Sequence, residues 1–193
     1  LIADLLDALL DGYPSLAAVL LAGTAAIVVL IVAVERARGG PTPRPALGGF
    51  ARLVRLATAA CVAVLGTTAL VPVWAGGSMH GWPLLAHVVT GGTLTVLLAV
   101  FALTWAGPSR RRAESAFRPA ARLSFSLLLF FGLLAAGSML LSTFPLFGTQ
   151  GLERLLDLHR FAGLGLCVAT ALHLALARPA RRGAPEILRR GSR

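Results

Sequence analysis

Five apolar runs, each long enough to cross a bilayer as a helix, constrain this chain more than any other feature. A hydrocarbon core about 30 Å thick needs roughly 20 predominantly apolar residues at 1.5 Å each. Runs of that kind cover about residues 15–34, 53–74, 83–105, 123–144 and 155–176. Between them lie helix breakers and turn formers. A Gly-, Pro- and Arg-rich stretch follows the first run, Gly76-Gly77-Ser78 separates the second from the third, and Pro145 and Gly148 end the fourth. Glu153, Arg154 and Asp157 form a half-polar turn at the entry to the fifth. With 56% apolar and only 13% charged residues, the chain lacks the polar surface of a soluble domain, about a quarter of whose residues are charged. The fold class is therefore all-α integral membrane, with five transmembrane helices.

The net charge of +10 invites a nucleic-acid reading, but its distribution argues against one. The basic residues are all arginines, and they fall in short runs between the apolar stretches. Arg36, Arg38, Arg44, Arg52 and Arg55 follow the first run, and Arg110, Arg111, Arg112, Arg118 and Arg122 follow the third. Arg178, Arg181, Arg182, Arg189, Arg190 and Arg193 fill the tail, while the opposite side has only Arg154 and Arg160. Positive-inside placement puts the three arginine-rich regions in the cytoplasm, the N-terminus in the periplasm and the chain in a bacterial inner membrane. Asp4, Asp7 and Asp11, at helical spacing, then belong to an interfacial helix on the outer side. Because the chain opens on Leu1, a removed leader or an upstream start is expected. Trp74, Trp82 and Trp105 fall near run ends, as interfacial aromatics do.

The chain also repeats itself. The shift that places Gly76 on Gly148 also places His87 on His159 and Gly91 on Gly163, and it aligns Leu94, Val96 and Ala99 with Leu166, Val168 and Ala171. Pro72 and Pro145 match after a one-residue gap. The second and third runs thus make one helical hairpin and the fourth and fifth another. Two hairpins build a four-helix bundle with the first helix outside it. The expected units are residues 1–52 (outer segment, first helix and cytoplasmic loop), residues 53–177 (the bundle) and residues 178–193 (a basic cytoplasmic tail).

Histidines carry the chemistry. His87 and His159 open matched His-x-x-x-Gly motifs near the outer ends of equivalent helices, at similar depth. Ionisable groups at membrane depth are costly and so point to function. Two imidazoles facing each other across a bundle suit a haem iron, which accepts one on each face. Gly91 and Gly163, about one turn further on, share the histidines' helical face and leave room for a porphyrin. The ordinary alternative is that each histidine bonds a nearby carbonyl or water. With no CxxCH motif, and with Cys61 and Cys167 both inside apolar runs, a haem here is held without covalent attachment and no disulfide framework is expected.

His173 follows His159 by about four helical turns, roughly 21 Å along the same face. At this point the chain, over roughly residues 53–177, resembles the four-helix haem-binding half of cytochrome b of bc complexes and the bacterial di-haem cytochromes b. The family carries two histidines about four turns apart on each of two helices, and each haem bridges the pair. His159 and His173 match one such helix, and His87 matches the first ligand of the other. The resemblance implies haem b at His87 and His159, and it raises a second haem at His173. Phe101 follows His87 at the interval by which His173 follows His159, so it departs from the pattern and leaves that second site incomplete. His173 is then a haem ligand completed otherwise, a core histidine or a quinone contact. Met139 is a ligand by chemistry but lies in the outer half of its helix.

Lesser candidates surround the outer pair. His80, in the loop Gly77-Ser78-Met79-His80-Gly81-Trp82, and Asp157 are candidates for quinone contact or proton transfer; solvation and a polar helix entry are their plain alternatives. Arg160 suits a haem propionate, since a guanidinium fork matches a carboxylate, although lipid headgroups would serve it as well. The expected function is electron transfer by a b-type cytochrome subunit between the quinone pool and a partner, expected on the periplasmic side, within a membrane complex. A haem-free or pigment-binding accessory subunit of a respiratory or photosynthetic complex is the other reading. Beyond the polar entry at Asp157, the spans hold no carboxylate, which counts against an ion transporter. Quinone, lipid and neighbouring subunits are the expected partners, and nucleic acid is not among them.

Overall fold

The structure is a computed structural model and describes residues 12–37, 48–106 and 119–176. Five helices fill these residues: α1 (Tyr13–Ala37), α2 (Gly49–Trp74), α3 (Gly81–Ala106), α4 (Pro119–Ser142) and α5 (Thr149–Leu176). All five are long and apolar enough to cross a membrane, and no strand occurs among the described residues. Helices are the expected solution, because a segment in lipid must satisfy every backbone N–H and C=O from within itself. Threonines inside the helices follow the same rule. Thr24, Thr58, Thr93 and Thr95 each donate the hydroxyl proton to the carbonyl one turn earlier. The expected acidic helix of Asp4, Asp7 and Asp11, the connecting residues 38–47 and 107–118 and the basic tail lie outside the described residues.

The helix boundaries differ from the apolar runs in one way that matters. α5 begins at Thr149, so Glu153, Arg154 and Asp157 belong to its first turns and not to a separate turn. Pro145 and Gly148 are the last breakers before it. Polar residues at a membrane surface still donate and accept normally along a helix, so polarity alone does not end one. Between α2 and α3 the chain reverses through Gly76, at φ 68°, and enters α3 through Gly81, at φ 61°. Both angles lie in the left-handed region that glycine occupies without steric cost. Pro72 sits in the last turns of α2, and its carbonyl accepts the Gly77 N–H at 2.9 Å, closing the helix.

The packing forms a square. α2 lies against α3, α3 against α4, α4 against α5 and α5 against α2, which sets α3 and α5 diagonally across the bundle. α1 stands outside and rests mainly on α5. The Tyr13 hydroxyl donates to the Arg160 carbonyl at 3.2 Å, and its ring meets Phe161 edge-on. Trp74 Nε1 donates to the Pro14 carbonyl, tying the start of α1 to the end of α2. Glycines set the closest approaches: a Cβ on Gly132 would stand 2.6 Å from Leu98 of α3, and one on Gly165 would stand 2.6 Å from the Phe131 ring. Gly137, also on α4, has nothing within 4 Å of such an atom.

Candidate functional site between the diagonal helices

His87 on α3 and His159 on α5 meet across the diagonal. Their ring centroids are 6.1 Å apart and their planes lie at 75° to each other. An iron bound by one nitrogen of each ring at about 2 Å would hold the centroids roughly 6 Å apart. Both rings are half-buried.

Each ring is held at Nδ1 by the preceding helix of its own hairpin. Nδ1 of His159 lies 3.0 Å from the Ala135 carbonyl and 3.4 Å from the Ser138 hydroxyl. Nδ1 of His87 lies 2.9 Å from the Thr68 hydroxyl. Ser138 sends its own proton to Ala135 and Thr68 sends its proton to Val64, so each hydroxyl oxygen remains to accept from the imidazole. The Ala135 carbonyl can only accept, and the Thr68 hydroxyl gives its own proton to Val64, so Nδ1 carries the ring proton in each. The neutral ring then presents its lone pair at Nε2, the nitrogen a metal takes. The carbonyl contact that the ordinary alternative expects is therefore present at His159, and it is made through Nδ1.

The two glycines that follow the histidines leave their Cβ positions open. A Cβ on Gly163 would meet nothing within 4 Å, and one on Gly91 would make only an ordinary contact, with Leu65 at 3.9 Å. The residues present thus fit a haem b: two opposed imidazoles in the ligating tautomer, beside two glycines with space at their Cβ positions.

The level of His173, at the other end of α5, is built differently. His173 on α5 is 1% exposed, and its Nδ1 faces the Ser124 hydroxyl at 3.3 Å, with a backbone hydrogen bond to Ala121. Phe101 of α3, also 1% exposed, stands opposite with its ring centroid 5.9 Å away and its plane at 89°. Phe125 closes the group, 5.4 Å from Phe101 and 6.0 Å from His173.

The hydrogen bonds of the remaining candidates go to groups other than the two rings of the pair. His80 is exposed, with Nδ1 at 2.8 Å from the Ser78 carbonyl in its own loop. Arg160 is exposed and bonds Asp157 at 3.1 Å along the same helix. Met139 is exposed on α4. No cluster of three or more His, Cys, Asp or Glu side chains occurs among the described residues.

Sequence reasoning missed the hydroxyls. The signal was available: Ser138 follows Ser124 at the same interval by which His173 follows His159. The shift that carries His87 onto His159 likewise carries Thr68 close to Ser138. No family model, curated protein or solved structure matches this chain.

Proposed function

We propose that this chain is a b-type cytochrome subunit that binds one haem between His87 and His159 and passes electrons between the quinone pool and a redox partner. The opposed imidazoles, each fixed through Nδ1 with Nε2 left to ligate, are the observation that carries the reading. When bound, the haem supplies a one-electron ferric/ferrous couple. The chain's own residues do the rest. His87 and His159 hold the iron, Thr68 and Ser138 orient the rings, and Gly91 and Gly163 admit the macrocycle. Five apolar helices keep the site at a depth that a lipid-soluble quinone reaches. Arg160 is exposed at the outer end of α5, where it suits a propionate or a headgroup, and Asp157 and His80 are the nearby groups suited to taking a proton from a quinol.

Charge placement supports an inner-membrane orientation with the His87–His159 end outside. Arg36, Arg52, Arg55 and Arg122 all lie at the end where α1 finishes and α2 and α4 begin; Arg154 and Arg160 alone mark the other end among the described residues. The partner is then periplasmic or a neighbouring membrane subunit.

A pyridine haemochrome assay on the purified chain tests the reading. One haem b per chain is expected, with its low-spin bands lost in His87→Ala and in His159→Ala while both variants still insert. A chain purified without haem from haem-replete cells leaves the accessory-subunit reading in its place, and a normal spectrum in either variant overturns the ligand assignment.

A further inference from the structure

The two hairpins define four equivalent positions for a histidine and its hydroxyl partner. Thr68–His87, Ser138–His159 and Ser124–His173 fill three of them with the same contact, hydroxyl oxygen to Nδ1. The fourth is fixed by the same intervals. Phe101 follows His87 as His173 follows His159, and Val54 precedes Thr68 as Ser124 precedes Ser138. Ligand and hydroxyl are thus replaced together, by a phenyl ring and an isopropyl group. The rest of that level is filled to match. Phe101, Leu128, His173 and Thr58 are the largest fully buried side chains among the described residues, and Val54, Leu94, Leu98, Phe101, Leu128 and Ala169 belong to one continuous core cluster. At the His87–His159 level the corresponding feature is a pair of glycines with space beside them.

We propose that Phe101 is a plug in a second, symmetry-related haem site: its ring stands where the fourth imidazole would stand, packs against His173 and limits the chain to one haem. This rests on the haem reading given above. The ring geometry supports it, since Phe101 stands to His173 at 5.9 Å as His87 stands to His159 at 6.1 Å. His173 with Ser124 is then half of a bis-imidazole site, complete on its own side and closed on the other by hydrocarbon. Phe101 determines cofactor number, and His173 serves packing in the natural chain.

The test is the haem-to-protein ratio, by pyridine haemochrome, of the full chain and of the Phe101→His, Val54→Ser double variant, expressed with haem in excess. One haem in the natural chain and two in the double variant is the expected result, with a second set of bis-imidazole resonances in the low-temperature electron paramagnetic resonance spectrum. A double variant that stays at one haem overturns the plug, as does a natural chain with two. A natural chain with none overturns the haem reading itself. Should the double variant fail to fold, His173→Ala in the natural chain decides: an unchanged spectrum and an unchanged ratio support the plug, and loss of haem absorption refutes it.

Discussion

The Thr68 hydroxyl lies 2.9 Å from Nδ1 of His87, and the second hairpin repeats the contact between Ser138 and His159 at 3.4 Å. Outer-sphere partners of this kind fix the ring's tautomer and orientation, and losing one weakens a metal site by about 10–100-fold. Thr68→Val keeps the shape of the side chain and removes the acceptor. Its expected effect is a haem affinity lower by about that factor and a shifted midpoint potential. Thr68→Ser should restore both, as a merely space-filling role would not. Haem titration and potentiometry on the three proteins check this.

Gly163 offers a prediction of opposite signs. Nothing lies within 4 Å of a Cβ built there, so Gly163→Ala costs the haem-free chain no packing. Removing a helix-interior glycine gains up to about 1 kcal/mol in propensity. Where a haem must lie against the same backbone, the added methyl is in the way, and Gly163→Leu more so. The haem-free Gly163→Ala variant should therefore melt in detergent at the same temperature as the parent or higher, while the retained haem falls from Ala to Leu.

Gly165, further along the same helix, should behave differently. A Cβ there would stand 2.6 to 2.8 Å from three atoms of the Phe131 ring. An aromatic ring cannot swing aside without disturbing the α4–α5 contact. Gly165→Ala is expected to destabilise the chain by about 1–3 kcal/mol, the usual cost of overpacking. Thermal unfolding in detergent reads the difference from Gly163→Ala directly.

α1 is joined to α5 through Tyr13, whose hydroxyl donates to the Arg160 carbonyl while its ring meets Phe161. Tyr13→Phe removes the bond and keeps the ring, so a loss of about 0.5–1.5 kcal/mol is expected. Tyr13→Ala loses both and should cost more, with early proteolysis of α1 as its signature.

Orientation is open to chemical labelling in a background where Cys61 and Cys167 are replaced by Ala. Ser78 is exposed in the α2–α3 loop and Ala37 is exposed at the far end of α1. A membrane-impermeant maleimide added to intact spheroplasts should label Ser78→Cys and spare Ala37→Cys. The reverse pattern would invert the assignment and move the His87–His159 pair to the cytoplasmic side.

Length and hydropathy determined by themselves the five membrane-length helices among the described residues, because lipid offers backbone groups no other partner. The internal repeat likewise determined that α3 and α5 are equivalent, and so that His87 and His159 share a depth. Tertiary structure decided three further things. It set α3 and α5 on the diagonal and brought the two rings, expected to face each other across the bundle, to 6.1 Å, a distance that no sequence interval gives. It turned scattered Ser and Thr residues into imidazole anchors: a hydroxyl that can always bond its own helix reveals a second partner only when a neighbouring helix arrives. And it set the Phe101 ring against His173: the sequence interval marks Phe101 as a departure from the histidine pattern, but only the packed helices bring its ring opposite the imidazole.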